Sequence, residues 1–165
     1  MSYAHTHSLT HFNTLGIHLK GYHDVASVCV SVLGESVLAF QVLQRITLTR
    51  LADHMQRTMQ SSAHTLHLVL HIVRLEDPPL YALLLKHAHC CPDSDTDSLV
   101  PSPFFATSWV LTWLAHDNDC LDCVARVFDV LISSPPLYIY YLSAAVCVHD
   151  MNICVYVYAC MYCWC

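Results

Sequence analysis

Cys120-x-x-Cys123 is the clearest chemical pattern in this chain, because that spacing offers two thiolates from one turn of backbone, the arrangement of many zinc sites. His87, His89, Cys90, Cys91 and His116 are the side chains in sequence that could complete such a set. Against a metal, Cys120 and Cys123 fall on a helical stripe with Leu121 and Val124, where cysteine often serves as a small buried apolar residue. His64, His67 and His71 share one helical face and lack a fourth ligand, which reads as a solvent-facing stripe opposite Leu66, Val69 and Val73. Cys160-x-x-Cys163-x-Cys165 could bind metal or form disulfides, but no partner motif accompanies it. We therefore assign no metal and no other cofactor; Cys90, Cys91, Cys120 and Cys123 are the candidates if one binds. Asp24, Arg126 and Asp129 place charge within apolar helices, and the spacing of Arg126 and Asp129 predicts an ion pair with a structural role.

These residues must be positioned by a chain of 165 residues, long enough for one domain with a core. It is 55% apolar and only 12% charged, half the usual charged share of about 25%. A net charge of −6 speaks against a nucleic-acid partner, which wants a basic face. The longest uncharged stretch near the end, Val130 to Val148, is interrupted by Pro135-Pro136, so no membrane span is expected. No secretory signal is visible, and a cytoplasmic location is the default.

Composition divides the chain in three. Residues 1–20 form an atypical His/Thr-rich leader, 21–148 the candidate domain, and 149–165 a Cys/Tyr-rich tail outside it. Both ends read as translated simple-repeat sequence, and both are expected to be poorly structured. The middle reads as consecutive helices, giving an all-α class. Leu66, Val69, Leu70 and Val73 follow the spacing of a buried stripe, with Ser61 or Ser62 as the expected cap and Pro78-Pro79 as the stop. A short helix over Leu80–Lys86 and a polar loop from Cys91 to Ser98 follow. Ser102-Pro103 then opens a helix expected to align Phe105, Trp109 and Trp113 on one face. Leu121, Val124, Phe128 and Leu131 stripe the next helix, and Tyr138 to Val148 forms the last.

Three blocks together resemble the TBC domain of Rab GTPase-activating proteins. They are Gly21-Tyr22-His23-Asp24-Val25-Ala26; the run from Thr65-Leu66-His67-Leu68 through Glu76-Asp77-Pro78-Pro79-Leu80-Tyr81; and Phe104-Phe105-Ala106-Thr107-Ser108-Trp109 through Trp113, followed by Arg126-Val127-Phe128-Asp129 and Pro136-Leu137-Tyr138. The coverage resembles the latter part of a full domain. The Gly-Tyr-His-Asp form is similar to that of the endoplasmic-reticulum member with a membrane anchor. The resemblance implies a partial all-helical domain, a Rab GTPase in its GTP form as partner, a role in membrane trafficking, and placement near endoplasmic-reticulum or Golgi membranes. It also makes Gly21, Tyr22, His23 and Asp24 candidates for GTPase contact.

The family supplies an arginine and a glutamine to the GTPase. Lys20 stands where the resemblance puts the glutamine. An amide can donate and accept a hydrogen bond; an ammonium has three donors and no acceptor. The arginine motif, Ile-x-x-Asp-x-x-Arg, has no match upstream, and residues 1–18 contain no arginine. The expectation is a GTPase regulator or binding module that is catalytically impaired and not itself an enzyme. Alternatives are a nonfunctional unstable fragment and a Cys/His zinc-binding protein.

Overall fold

The computed structural model describes residues 21–54, 60–88 and 103–149. Seven α-helices carry them: α1 (Tyr22–Leu33), α2 (Ser36–Ile46), α3 (Gln60–Glu76), α4 (Pro78–Ala88), α5 (Thr107–Thr112), α6 (Leu121–Ser133) and α7 (Tyr138–His149). There is no strand among the described residues, so the all-α expectation holds. The leader with Lys20, Cys90, the polar loop from Cys91, and residues 150–165 of the tail lie outside the described residues, whereas His149 closes α7.

The two ends of α1 are set by glycines in the left-handed region. Gly21 (φ 83) precedes the helix, and Gly34 (φ 65) follows it, donating its N–H to the Val30 carbonyl at 3.0 Å. Chain reversal at Gly34 lays α2 along α1. Beyond Ile46, α2 widens into a π turn over Thr47–Leu51 and tightens into a 3-10 turn over Ala52–His54. That change of winding turns Thr47 and His54 inward, and both are buried. Arg50 ties the turn to the end of α6, its guanidinium donating to the Ile132 carbonyl at 3.0 Å.

Helix α3 runs through the core, packed against α7, α4 and the 3-10 turn over Pro103–Ala106. Its predicted stripe is buried as expected: Leu66, Val69, Leu70 and Val73 are at most 2% exposed. Asp77 both ends α3 and starts α4. Its N–H completes the last bond of α3 to the Val73 carbonyl, while its carboxylate accepts from the Leu80 N–H at 2.9 Å. With Pro78 at the first helical position, this is a side-chain cap followed by a proline with no amide to satisfy.

Three expectations require correction. Ser61 and Ser62 do not cap α3, which begins at Gln60; Ser62 is buried within its first turn and bonds to His54. Phe105, Trp109 and Trp113 do not share one helix. Phe105 sits in a 3-10 turn, Trp109 in α5, and Trp113 is left-handed (φ 55), followed by left-handed Leu114 (φ 64). All three rings are buried all the same, Phe105 meeting Trp109 edge-on at 5.8 Å and Trp113 meeting Phe128 at 5.1 Å. Leu121 heads α6 exposed, whereas Val124, Phe128 and Leu131 face the core.

A polar chain crosses the middle of this apolar core. The His54 ring bridges two hydroxyls, Nδ1 meeting Ser62 Oγ at 3.1 Å and Nε2 meeting Tyr140 Oη at 3.2 Å. One ring nitrogen donates and the other accepts, and either hydroxyl can take either role. The network joins the 3-10 turn and the neighbouring α3 to α7, 86 residues further along the chain. Burial pushes the His54 pKa down, with the Asp53 charge opposing that shift. The unfolded chain therefore takes up the proton first as the pH falls. His54's contribution is full above the unfolded value near 6.5 and is lost as the pH drops toward the lowered folded value. The unfolding free energy from urea titrations is expected to fall between pH 7.5 and 5.5, by up to about 1.4 kcal/mol per pH unit, the limit for one proton. His54→Gln should flatten that slope; an unchanged slope would place the acid sensitivity elsewhere.

Candidate functional site

The Gly-Tyr-His-Asp segment lies where α1 begins against the end of α5, and each of its four residues has a different environment. Gly21 presses on Thr112: a Cβ built at position 21 would sit 2.4 Å from Thr112 Cγ2. Only a residue without a side chain fits both that approach and the positive φ. Tyr22 points inward and is buried. Thr47 spends its hydroxyl proton on the Leu43 carbonyl at 2.7 Å, so Tyr22 is the donor to Thr47 Oγ1 at 2.9 Å. That bond joins α1 to the π turn. Burial raises the Tyr22 pKa, keeping the phenol protonated as a donor.

His23 projects outward with its side chain 75% exposed. Asp24, 19% exposed, lies in the first turn of α1, where a carboxylate is favoured by the helix dipole. Two imidazoles converge on it: His116 Nδ1 at 3.0 Å from Oδ2 and His23 Nε2 at 3.2 Å from Oδ1. His116 reaches that position through the two left-handed residues before it. Left-handed backbone costs a non-glycine residue about 1–2 kcal/mol, so Trp113 and Leu114 need support from their surroundings. The Trp113 ring is 3% exposed, and the Leu114 N–H bonds to the Trp109 carbonyl at 3.0 Å. Thr112 completes the fastening: its hydroxyl donates to the Ser108 carbonyl at 2.7 Å and accepts the His116 N–H at 3.2 Å.

The result is a surface feature of a half-sheltered carboxylate between two exposed imidazoles, fixed on a close glycine–threonine contact and a buried tyrosine. It can accept and donate hydrogen bonds to a macromolecular partner. In sequence, His116 stands out only as a candidate metal ligand. The strained Trp113-Leu114 turn that delivers it leaves no mark in hydrophobic periodicity.

The other candidates are dispersed. His64, His67 and His71 are exposed along α3, as the solvent-stripe reading expected. Among the described residues, no three histidine, cysteine, aspartate or glutamate side chains converge to hold a metal ion. Cys120 and Cys123 are both exposed, correcting the expectation that they pack as small apolar residues. They occupy the cap and first turn of α6, ahead of its buried stripe. Arg126 and Asp129 do pair, at 3.2 Å, but their side chains are 80% and 67% exposed and both stand on α6. Such a pair contributes a few tenths of a kcal/mol to the helix and holds nothing else in place.

Comparison with known proteins gives these features a family. Residues 8–152 match the Rab-GTPase-TBC domain. The chain is 34% identical over 127 residues to GTPase-activating protein gyp10 of Schizosaccharomyces pombe, covering 77% of this chain and 31% of that protein. It is 28% identical over 127 residues to TBC1 domain family member 20 of Bos taurus and 27% to the Homo sapiens protein, covering 77% of this chain and 28% of each relative. The chain thus spans less than a third of the length of these relatives. With the family match extending over most of its residues, the chain belongs to the Rab-GTPase-TBC domain family, whose members regulate Rab GTPases as activators.

Proposed function

We propose that the chain docks on a Rab GTPase in its GTP form through the start of α1, with His23 and Asp24 as the contacting groups. The observation carrying this reading is the division of labour within the motif. Gly21 and Tyr22 are committed to packing, while His23 is exposed and Asp24 is held at the surface by two imidazoles. Gly21 and Tyr22 then serve the contact indirectly, by fixing the backbone that presents their neighbours. Acceleration of GTP hydrolysis by this chain is weak in the same reading, because Lys20 stands where the family resemblance puts an amide, and an ammonium cannot accept a hydrogen bond. Location at endoplasmic-reticulum or Golgi membranes is part of the proposal, reached through the Rab partner. Among the described residues, no helix is long and apolar enough to cross a membrane.

Binding of the full chain to a panel of Rab proteins, each loaded with a non-hydrolysable GTP analogue or with GDP, tests the docking. The expected result is preference for the GTP-like form by at least one Rab. His23→Ala should weaken it about tenfold, the loss of roughly one charge-assisted hydrogen bond. Its exposed ring predicts an unchanged melting temperature. Equal affinity for both nucleotide states across the panel would remove the proposal.

A further inference from the structure

The exposed thiols at the head of α6 form a pair that neither the docking surface nor the core employs. Cys120 is the N-cap residue, with extended backbone (φ −87, ψ 98), and Cys123 stands at the third helical position. An extended cap turns its side chain back over the first helical turn, toward the third position. Residues three apart on a helix have Cβ atoms about 5–6 Å apart, and a disulfide needs about 3.5–4.5 Å. Cys120 stands outside the helix proper, so a modest rotation there closes the gap without disturbing the ladder of α6. The Asn118 carboxamide accepts the Cys120 N–H at 2.9 Å, fixing the approach to the cap. Cys29 and Cys147, by contrast, are buried in the core.

We propose that Cys120 and Cys123 are a reversible dithiol–disulfide site, oxidised by low-molecular-weight disulfides of the glutathione type. The Cys120 thiolate attacks one sulfur of the oxidant and releases one thiolate, leaving a mixed disulfide on Cys120. The Cys123 thiolate then attacks the Cys120 sulfur and expels the second thiol. The protein pair loses two electrons and two protons, and the oxidant gains both. The order follows from the electrostatics. Cys120 forms no full capping bond to the helix amides, so the neighbouring Cys123 thiol is the main influence lowering its pKa, followed by the Cys123 N–H. Cys123 is pushed up in turn by the same contact with Cys120. The more acidic thiol is the attacking one, and its partner resolves the adduct. Closing the bond pins the head of α6, whose cap lies four residues after His116 in sequence.

The full chain, reduced and then equilibrated in glutathione buffers of increasing oxidising power, is acid-quenched, alkylated and mapped by peptide mass. The peptide containing both cysteines is expected to pass in a single two-electron transition from doubly alkylated to unalkylated, two mass units below the dithiol. Cys123→Ser should stop at one glutathione adduct on Cys120. Cys120→Ser should slow modification of the peptide, and neither variant should shift the melting temperature. Persistence of the dithiol, two glutathione adducts on one peptide, or pairing of Cys120 with any other cysteine would each overturn the proposal.

Discussion

Gly21→Ala is expected to destabilise the protein by about 2–5 kcal/mol, lowering the melting temperature by roughly 5–20 °C. Two independent costs add. A side chain at φ 83 pays the left-handed penalty of about 1–2 kcal/mol. The new methyl also overlaps Thr112 Cγ2, and such overpacking typically costs about 1–3 kcal/mol. The second cost can be isolated. Thr112→Ser deletes Cγ2 while keeping the hydroxyl that bonds Ser108 and His116. Combined with Gly21→Ala, it should recover about 1–2 kcal/mol relative to the sum of the single variants. Urea denaturation of the four proteins measures this coupling. Strict additivity would mean that α1 and α5 do not meet through this contact. Because Asp24 and His116 hang from the same two elements, the single glycine variant should also weaken Rab binding, with partial rescue in the double variant.

Much of the framework is legible in the sequence, for a plain reason. A helix with one buried face writes its period into the apolar residues, as α3 does with Leu66, Val69, Leu70 and Val73. Pro78 and Pro79 mark a boundary because they lack the amide a continuing helix would need. Helix α2 is not legible because Val37, Leu38 and Phe40 are exposed while Ala39 is buried, which blurs any stripe. The tryptophan segment misleads differently. Apolar spacing reports which side chains are buried, and Phe105, Trp109 and Trp113 are; it does not report that the backbone reverses its hand after Thr112. The buried His54–Ser62–Tyr140 chain is invisible for a related reason. Its partners are 8 and 86 residues from His54, and nothing local marks a histidine as core. The Gly-Tyr-His-Asp corner is half legible: the motif stands out, but the Thr112 and His116 partners that shape it come from about 90 residues further along the chain.

In a single-turnover assay with GTP-loaded Rab, this chain is expected to accelerate hydrolysis less than about tenfold, whereas an arginine finger alone can supply about 10³–10⁵. GTP hydrolysis asks a regulator to orient the attacking water and to neutralise charge on the transferring phosphoryl group. Lys20 can place a positive charge but cannot accept a hydrogen bond from that water. Lys20→Gln restores the missing acceptor without adding a cation, so the expected gain is within a fewfold. Lys20→Ala should cost equally little. The two variants separate the possible origins of any activity. A large gain with glutamine would mean that charge neutralisation is already provided, by another residue of this chain or by the GTPase itself. A strong wild-type rate abolished by Lys20→Ala would mean that the ammonium acts as the missing cation, overturning the impaired reading. Rates within tenfold of the GTPase alone for all three proteins, alongside GTP-selective binding, would identify a chain that retains the family's grip on Rab without its chemistry.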